Sequence, residues 1–253
     1  MPTPETATPA PSVTWLGHAT ATVELGGRRL LFDPLGRARA RSAGPLDAVV
    51  ITHAHVADLG FARVTEAEPG DHIDLGGVDL VAVPTRHDGG RWRKSDTTMC
   101  NGYVAMAEGH AVHHAGDVDF SEHAVFDAIG KDFQLDASLL PIGGMLPVWY
   151  YRWRKGAHDR GVHIDPDCAL DIFERLGART LVPVHWGTVN LRLGPPSMAR
   201  RRLLAIANQR GADHRVRVLD HGERLPLDRH DRDSTAPSTP IAPIVSPTIE
   251  PKI

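Results

Sequence analysis

Cysteine is scarce in this chain of 253 residues, and several other features are missing with it. The 2 cysteines exclude a disulfide framework and any zinc site built mainly from cysteine. No apolar run approaches the roughly 18 residues needed to cross a bilayer, so we expect no transmembrane segment. The formal net charge of -3 gives no basic excess, which predicts that nucleic acid is not a partner.

The two ends of the chain differ in composition from the rest. Residues 1–12 are rich in proline, threonine and alanine, and they lack the basic and apolar regions of a signal peptide. We therefore expect a cytoplasmic location. Residues 230–253 are rich in proline, serine and threonine. Both segments are predicted to be disordered tails, because such compositions bury too little surface to offset the entropy of ordering. One folded domain is predicted between them, over residues 13–229.

Short apolar runs separated by turn residues fill the predicted domain. In the first half, paired glycines at 26–27 and 76–77 are typical of hairpins between strands. In the second half, helices and strands alternate, and the clearest helix begins after Asp165-Pro166 and ends at Gly177. The other predicted helices span 121–129 and 195–210, and the last predicted strand spans 215–219. Hairpins followed by strand–helix units predict an α/β fold with helix-covered sheets.

Histidine, by contrast, is abundant, with 15 residues. His53 and His55 follow the apolar run 48–52 and are two residues apart, so both imidazoles project to one side and can bind one ion. Alone, this pair also fits two solvated loop histidines. Three later apolar runs end in further ligand-type residues: His87, Asp117 and His185. This recurrence predicts a metal site at one rim of the sheets. Neutral imidazoles suit it, because they leave the metal its Lewis acidity.

Two further histidines, His113 and His114, are adjacent in a predicted strand over 111–115. Successive side chains alternate between the two faces of a strand, so we expect one of the two rings to point outward. Neither is predicted to bind metal.

Ordered motifs over about residues 13–220 resemble a known family. Besides His53-Ala-His55, they are Trp15-Leu-Gly-His18, Phe32-Asp33-Pro34, Val83-Pro-Thr-Arg-His87, Ala115-Gly-Asp117, Leu140-Pro-Ile-Gly-Gly144, His163-Ile-Asp-Pro166 and Val184-His185-Trp-Gly-Thr188. Together they resemble the metallo-β-lactamase superfamily, in the branch that contains N-acylphosphatidylethanolamine phospholipase D and the ascorbate-6-phosphate lactonase. The resemblance implies an αββα four-layer sandwich with the site at the edges of the sheets.

The resemblance also implies five metal ligands: His53, His55, His87, Asp117 and His185. In the family, the three residues matching the first three histidines bind one metal, the aspartate bridges two metals, and the last histidine binds the second. The family loop reads His-x-His-x-Asp-His, whereas this chain has Ala57 and Asp58 at the last two positions. Alanine cannot bind a metal, so the number of metals, one or two, is open.

Three outcomes of this departure are open. In the first, one zinc or iron ion is bound by the first-site histidines and Asp117, and Asp58 acts as a general base or orients the water. In the second, Asp58 reaches a second metal, and the additional oxygen ligand favours manganese or iron. In the third, the protein binds a ligand or partner without turnover.

Other residues have predicted roles near the metal. His163 is the second catalytic candidate beside Asp58, although its place before a helix fits a helix-flanking histidine equally well. His18 and Asp33 match family positions that we expect to orient metal ligands by hydrogen bonds. The alternative for Asp33, which precedes Pro34, is a role in a turn.

The segment 145–155 concentrates aromatic and basic residues. Its candidate substrate contacts are Trp149, Tyr150 and Arg152, whose chemistry suits an anionic or amphiphilic small molecule. The same composition is typical of an interface between subunits, so a homo-oligomer is also open.

The chain is thus predicted to be a metal-dependent hydrolase. A metal-activated water would attack an ester, lactone, amide or phosphodiester. The alternatives are a non-hydrolytic iron enzyme of a specialised pathway and a non-catalytic binding protein. We expect one or two zinc ions, with manganese or iron as the other candidates.

Overall fold

The computed structural model describes residues 9–53, 64–85, 87, 100–119, 124–144, 164–187, 195 and 197–228. The first sheet contains β1 (Ser12–Gly17), β2 (Thr20–Leu25), β3 (Arg28–Phe32), β4 (Ala48–Val50) and β11 (Arg224–Pro226). The second contains β5 (His72–Asp74), β6 (Asp79–Thr85), β7 (Cys100–Ala107), β8 (His110–His114), β9 (Ala137–Pro141) and β10 (Thr180–Val184). The described α-helices are α1 (Gly36–Ser42), α2 (Ala124–Asp132), α3 (Pro166–Leu176) and α4 (Met198–Gln209).

The first sheet has the strand order β11-β1-β2-β3-β4. Its predicted Gly26-Gly27 turn joins β2 to β3, and both glycines have positive φ, 52° and 73°. This conformation is the one that a two-residue hairpin turn requires. β4 pairs in parallel with β3 and ends at Val50, two residues before the predicted strand end at Thr52.

The second sheet has the strand order β10-β9-β8-β7-β6-β5. β7 is antiparallel to both β6 and β8, whereas β8, β9 and β10 are mutually parallel neighbours. β6, β8, β9 and β10 therefore run in one direction, and their carboxyl ends lie along one edge. The residues that follow these four strands are brought together at that edge.

Two apolar cores hold the layers together. One lies between the sheets and combines Leu30 and Phe32 of the first sheet with Leu80 and Leu139 of the second. The other lies between the second sheet and helices α2, α3 and α4, and includes Phe173. Two packed sheets with helices outside confirm the predicted α/β sandwich class. The longest described helix, α4, has 12 residues, and none in the described ranges is long and apolar enough to cross a membrane.

Helix α3 forms where the sequence predicts it. The Asp165 side chain accepts a hydrogen bond from the Cys168 N–H at 2.9 Å, and Pro166 occupies the first turn. At the other end, Gly177 adopts a left-handed conformation with φ of 61°. Both termini are thus satisfied by the residues expected to cap them.

Helix α2 does not end at Gly130, as predicted, but continues to Asp132. A Cβ atom on Gly130 would lie 2.5 Å from the carbonyl oxygen of Arg175 and 2.8 Å from that of Leu176. Glycine is therefore needed here for the close approach of α2 to α3, and it does not stop the helix.

The predicted strand 215–219 is also wrong. Residues Asp213–Arg215 form a 3₁₀-helix, and Val216 makes only an isolated bridge to Leu181. The last strand of the described chain is instead β11, whose residue Pro226 lies opposite Ser12 of β1. Ser12 belongs to the segment that composition assigns to the N-terminal tail.

Both His113 and His114 are buried, at 1% and 0% exposure, so the expectation that one points outward is wrong. The second sheet is covered on both faces, by the first sheet and by helices. The His114 ring stacks on Phe32 of the first sheet at 4.9 Å. The His113 ring lies 2.9 Å from Ser138 Oγ on the opposite face, and burial lowers its pKa to about 3.

Candidate metal centre

The carboxylate of Asp117 lies among three histidine rings. Its Oδ2 atom is 3.5 Å from Nε2 of His53 and 3.8 Å from Nε2 of His87. Its Oδ1 atom is 3.4 Å from Nε2 of His185. All four side chains are at most 8% exposed. The structure thus brings together four of the five residues predicted as ligands, with one carboxylate at their centre.

The spacing of these atoms fits a metal ion. Ligands about 2.1 Å from a tetrahedral ion lie roughly 3.4 Å from one another. Donor atoms of His53, His87 and Asp117 all lie within 4.8 Å of one another. The distances from the carboxylate to the rings, 3.4–3.8 Å, are longer than ordinary hydrogen bonds. Imidazole nitrogen with carboxylate oxygen is a ligand set that zinc and iron accept.

The sheet topology explains why distant residues meet here. His87 follows β6, Asp117 follows β8 and His185 follows β10, so all three lie at the shared edge of the second sheet. His53 follows β4 of the first sheet, which packs on the second. The four side chains therefore meet across the edges of two sheets.

Asp33 holds the residue before His53. Its Oδ1 accepts the Thr52 N–H at 2.9 Å, and its Oδ2 accepts the Thr52 hydroxyl at 2.8 Å. The same hydroxyl oxygen lies 2.9 Å from Nδ1 of His53. Asp33 thus contacts the candidate metal ligand His53 through Thr52, a residue that the sequence motifs do not single out. A threonine before a histidine carries no distinctive sequence signal, because its partner Asp33 lies 19 positions earlier.

The His18 backbone and ring both contact His185. The His185 N–H donates to the His18 carbonyl at 2.8 Å, and the two ring centroids are 3.8 Å apart. The same carbonyl accepts the indole N–H of Trp15 at 2.8 Å. Both histidines have positive φ, 55° and 58°, which is uncommon outside glycine. His18 thus contacts the candidate ligand His185 through both its backbone and its ring.

Gly143 leaves space for His185. A Cβ atom at this glycine would lie 2.1 Å from the carbonyl oxygen of His185 and 3.1 Å from its Nδ1. Any other residue would displace either this backbone or the ring. The resemblance contained Gly143 in a motif, but only the structure explains why glycine is needed there.

Several predicted site residues lie outside the described part of the chain. They are His55, Asp58, Trp149, Tyr150, Arg152 and His163, and Ala57 lies there too. Ile164, which follows His163, is described, and its N–H donates to the carbonyl of Val118 at 3.0 Å. Val118 is the residue after Asp117.

A cavity of about 670 Å³ lies away from the metal centre. Its wall includes Asp136, Arg179 and Thr180, at the amino ends of β9 and β10. Thr180 and His185 are at opposite ends of β10, roughly 16 Å apart at the usual rise per residue. This cavity is therefore separate from the candidate metal centre.

The sequence of this chain is similar to those of known proteins. A family model described as beta-lactamase superfamily domain matches residues 56–186, just over half of the chain. An uncharacterised protein of Mycobacterium tuberculosis is 30% identical over 78% of this chain, and the chain spans 64% of that relative's length. A protein of Nitratidesulfovibrio vulgaris named metal-dependent hydrolase is 28% identical over 86% of this chain and 95% of its own length.

A solved structure supports the fold. Igni18, described as a metallo hydrolase from Ignicoccus hospitalis, has a TM-score of 0.67 and 21% identity, and the match covers 88% of this chain and 100% of that chain. This likeness confirms the predicted αββα sandwich. By its family match and its fold, the chain belongs to the metallo-β-lactamase superfamily.

Proposed function

We propose that this chain is a metal-dependent hydrolase whose metal is bound around Asp117. The observation that carries the proposal is the shared carboxylate, with imidazole Nε2 atoms from three strand ends 3.4–3.8 Å from its two oxygens. The relative named metal-dependent hydrolase supports the same chemistry at family level. In this proposal His55 adds a further imidazole, as the sequence pattern predicts.

When bound, a divalent metal supplies Lewis acidity, which polarises a carbonyl or phosphoryl oxygen and makes a water molecule more acidic. The protein's part is to hold the ion without cancelling its charge. His53, His87 and His185 bind as neutral rings, so Asp117 brings the only negative charge among the four described ligands. An ester, lactone, amide or phosphodiester is the proposed substrate class.

Zinc is the proposed metal, because the described donors are three imidazoles and one carboxylate. The two oxygens of Asp117 face different histidines, which is the arrangement a carboxylate between two ions would need. One or two zinc ions are therefore proposed. If Asp58 adds an oxygen ligand, manganese or iron becomes the better match.

Two further residues are proposed to act on the substrate. Asp58 is the candidate general base, or else a ligand of a second ion. His163 is the candidate contact to the substrate or leaving group. Its neighbour Ile164 supports this placement, since its N–H is bonded to the carbonyl of Val118, beside Asp117.

The substrate is proposed to be a small molecule with anionic or amphiphilic character. Trp149, Tyr150 and Arg152 are its proposed contacts, because aromatic rings bind apolar groups and arginine binds anions. The relation to the lipid-cleaving and lactone-cleaving branch rests on the sequence motifs. A cytoplasmic location and a homo-oligomeric state are also proposed.

The test uses purified full-length protein loaded with zinc or stripped by a chelator. Nitrophenyl esters, a lactone and a nitrophenyl phosphodiester form the substrate panel. Metal-dependent cleavage that disappears in Asp117→Asn and persists in His72→Ala is the expected result. His72 is the matched control, an exposed histidine that pairs with Asp79 on β6. Tight zinc binding with no cleavage of the panel, or cleavage that persists without metal, would overturn the proposal.

A further inference from the structure

We infer that Thr52 fixes the proton position on the His53 ring, so that Nε2 presents its lone pair to the metal, and that Asp33 sets the direction of this hydrogen-bond chain. Thr52 is thus a positioning residue for a metal ligand. The inference rests on the proposed metal site, but the proton position can be measured without any metal. The direction of the chain follows from the number of protons that each group can donate.

The first link is between Asp33 and Thr52. The carboxylate is an acceptor on both oxygens, and the Thr52 hydroxyl has a single proton. Asp33 Oδ1 takes the Thr52 backbone N–H at 2.9 Å, which leaves Oδ2, at 2.8 Å, for the hydroxyl. The only proton of the hydroxyl is therefore donated to Asp33.

The second link is between Thr52 and His53. The hydroxyl oxygen lies 2.9 Å from Nδ1 of the ring, within ordinary hydrogen-bond range. Because the hydroxyl proton is already used, the oxygen accepts here and Nδ1 must carry the ring proton. In a neutral imidazole the other nitrogen then has the lone pair. That nitrogen, Nε2, is the atom 3.5 Å from Asp117 Oδ2.

A second ring close to Asp33 does not disturb this direction. Nδ1 of His114 is 3.9 Å from Asp33 Oδ2, too far for a hydrogen bond. The same nitrogen accepts the Gly116 N–H at 3.1 Å, and Nε2 donates to the Ala19 carbonyl at 3.0 Å. His114 therefore carries its proton on Nε2, and its Nδ1 has no proton to donate to Asp33.

Backbone packing keeps the Thr52 hydroxyl in place. Thr52 is 3% exposed, and a Cβ atom on Gly116 would lie 2.6 Å from its Oγ1 and 2.7 Å from its Cβ. Gly116 itself has φ of 66° and lies one residue before Asp117. The glycine before the central carboxylate thus allows the threonine to fit between that segment and Asp33.

Asp33→Asn is the most informative substitution. The Thr52 N–H requires an oxygen at the Oδ1 position, so the amide nitrogen of the variant falls at the Oδ2 position and donates to the Thr52 hydroxyl. The hydroxyl proton is then available for His53 Nδ1, and the ring proton moves to Nε2. The substitution therefore reverses the chain and blocks the metal-binding nitrogen, although the side chains keep nearly the same shape.

Thr52→Val and Thr52→Ser are the matched pair. Valine preserves the branched shape and removes the hydroxyl, so the His53 proton is no longer fixed. We expect zinc affinity to fall about 10–100-fold, the usual effect of losing a group that orients a ligand. Serine retains the hydroxyl and is expected to restore most of the affinity. Asp33→Asn is expected to lose at least as much affinity as Thr52→Val.

The experiment combines two readouts. Nitrogen-15 NMR of histidine side chains in the metal-free protein reports which ring nitrogen carries the proton, with His53 assigned by its loss in His53→Ala. Competition between the protein and a chelator reports affinity for Zn²⁺ alone. The expected result is an Nδ1-protonated ring in wild type and Thr52→Ser and an Nε2-protonated ring in Asp33→Asn, with zinc affinity following the same order.

An Nε2-protonated His53 in the wild-type protein would overturn the inference. So would unchanged zinc affinity in both Thr52→Val and Asp33→Asn. Neither result depends on substrate turnover, so failure of the proposed hydrolase activity would leave the tautomer measurement interpretable. Conversely, a protein that hydrolyses substrates but has the opposite tautomer would reject only this inference.

Discussion

Oδ1 of Asp117 lies 3.4 Å from Nε2 of His185, whereas Oδ2 of the same carboxylate faces His53 and His87. The two oxygens therefore have different histidine partners. The family resemblance implies a bridging role for Asp117, and the proposal of up to two metal ions rests on this division. His185 has its own neighbours: its N–H bonds to the His18 carbonyl, and its backbone lies close to Gly143.

Gly143→Ala tests whether this glycine positions His185. The new Cβ atom would lie 2.1 Å from the His185 carbonyl oxygen, so the backbone must shift and the ring must move with it. We expect a loss of about 1–3 kcal/mol in the free energy of unfolding of the metal-free protein, together with weaker zinc binding. Urea denaturation and chelator competition measure the two effects.

Gly222→Ala is the control for this substitution. Gly222 has φ of 83°, and a methyl group there would have nothing within 4 Å, so alanine adds backbone strain alone. Some stability should be lost, about 1–2 kcal/mol, while zinc binding stays unchanged. Equal zinc affinity in Gly143→Ala and wild type would show that the glycine does not position His185.

Gly130→Ala separates two explanations of a helix glycine. Alanine is the better helix former by about 1 kcal/mol, so an exposed helix position would gain stability from the change. Here the Cβ atom would lie 2.5 Å from the Arg175 carbonyl oxygen, and α2 would be pushed from α3. We expect a net loss of about 1–3 kcal/mol in urea denaturation, without any effect on zinc binding. A stabilised variant would contradict this packing.

Burial of His113 predicts a pH-dependent stability. Its pKa is lowered to about 3 by burial, against about 6.5 in the unfolded chain, so between these values the unfolded state binds one more proton. Above about pH 6.5 the ring is neutral in both states, and the free energy of unfolding does not depend on His113 titration. As the pH falls from 6.5 toward 3, the free energy of unfolding decreases by up to about 1.4 kcal/mol per pH unit.

His113→Gln isolates this effect, since glutamine can still bond to Ser138. The difference in unfolding free energy between wild type and variant, measured without metal from pH 7 to pH 4.5, should shrink as the pH falls. Parallel curves would mean that His113 is protonated to the same extent in both states.

Restoring the family loop sequence tests how many metal ions the natural chain binds. Ala57→Asp combined with Asp58→His restores the family pattern His-x-His-x-Asp-His. If the natural site holds one metal, the double variant should rise from one to two ions per chain, as measured by elemental analysis. An unchanged count of two would mean that the natural chain already binds a second ion without the family's aspartate.

Much of the fold follows from local sequence. The Gly26-Gly27 turn and the caps of α3 depend on conformations that nearby residues alone decide, and the structure confirms both. β11 has no such local signal, because three residues at 224–226 become a strand only by pairing with β1, near the other end of the chain. Gly130 is predicted to end a helix because glycine is common there. Its contact with α3 involves residues far along the chain, so the sequence does not reveal it.

The candidate site also combines residues that the sequence reveals with residues that it does not. Ligand-type residues at the ends of apolar runs can be recognised one by one, and the structure brings His53, His87, Asp117 and His185 together. The residues that orient them leave no such pattern. Thr52 and Gly143 act through contacts with partners far along the chain, so only the folded structure reveals them.

The most direct test of the proposed metal centre is the zinc content of the wild-type protein and of Asp117→Asn after equilibration with a competing chelator. Among the described residues, this carboxylate faces all three candidate histidine ligands. The amide that replaces it is neutral and binds metal ions more weakly. We predict at least one zinc per wild-type chain, almost none in Asp117→Asn, and wild-type content in the His72→Ala control. Equal zinc content in wild type and Asp117→Asn would contradict a metal centre built around Asp117.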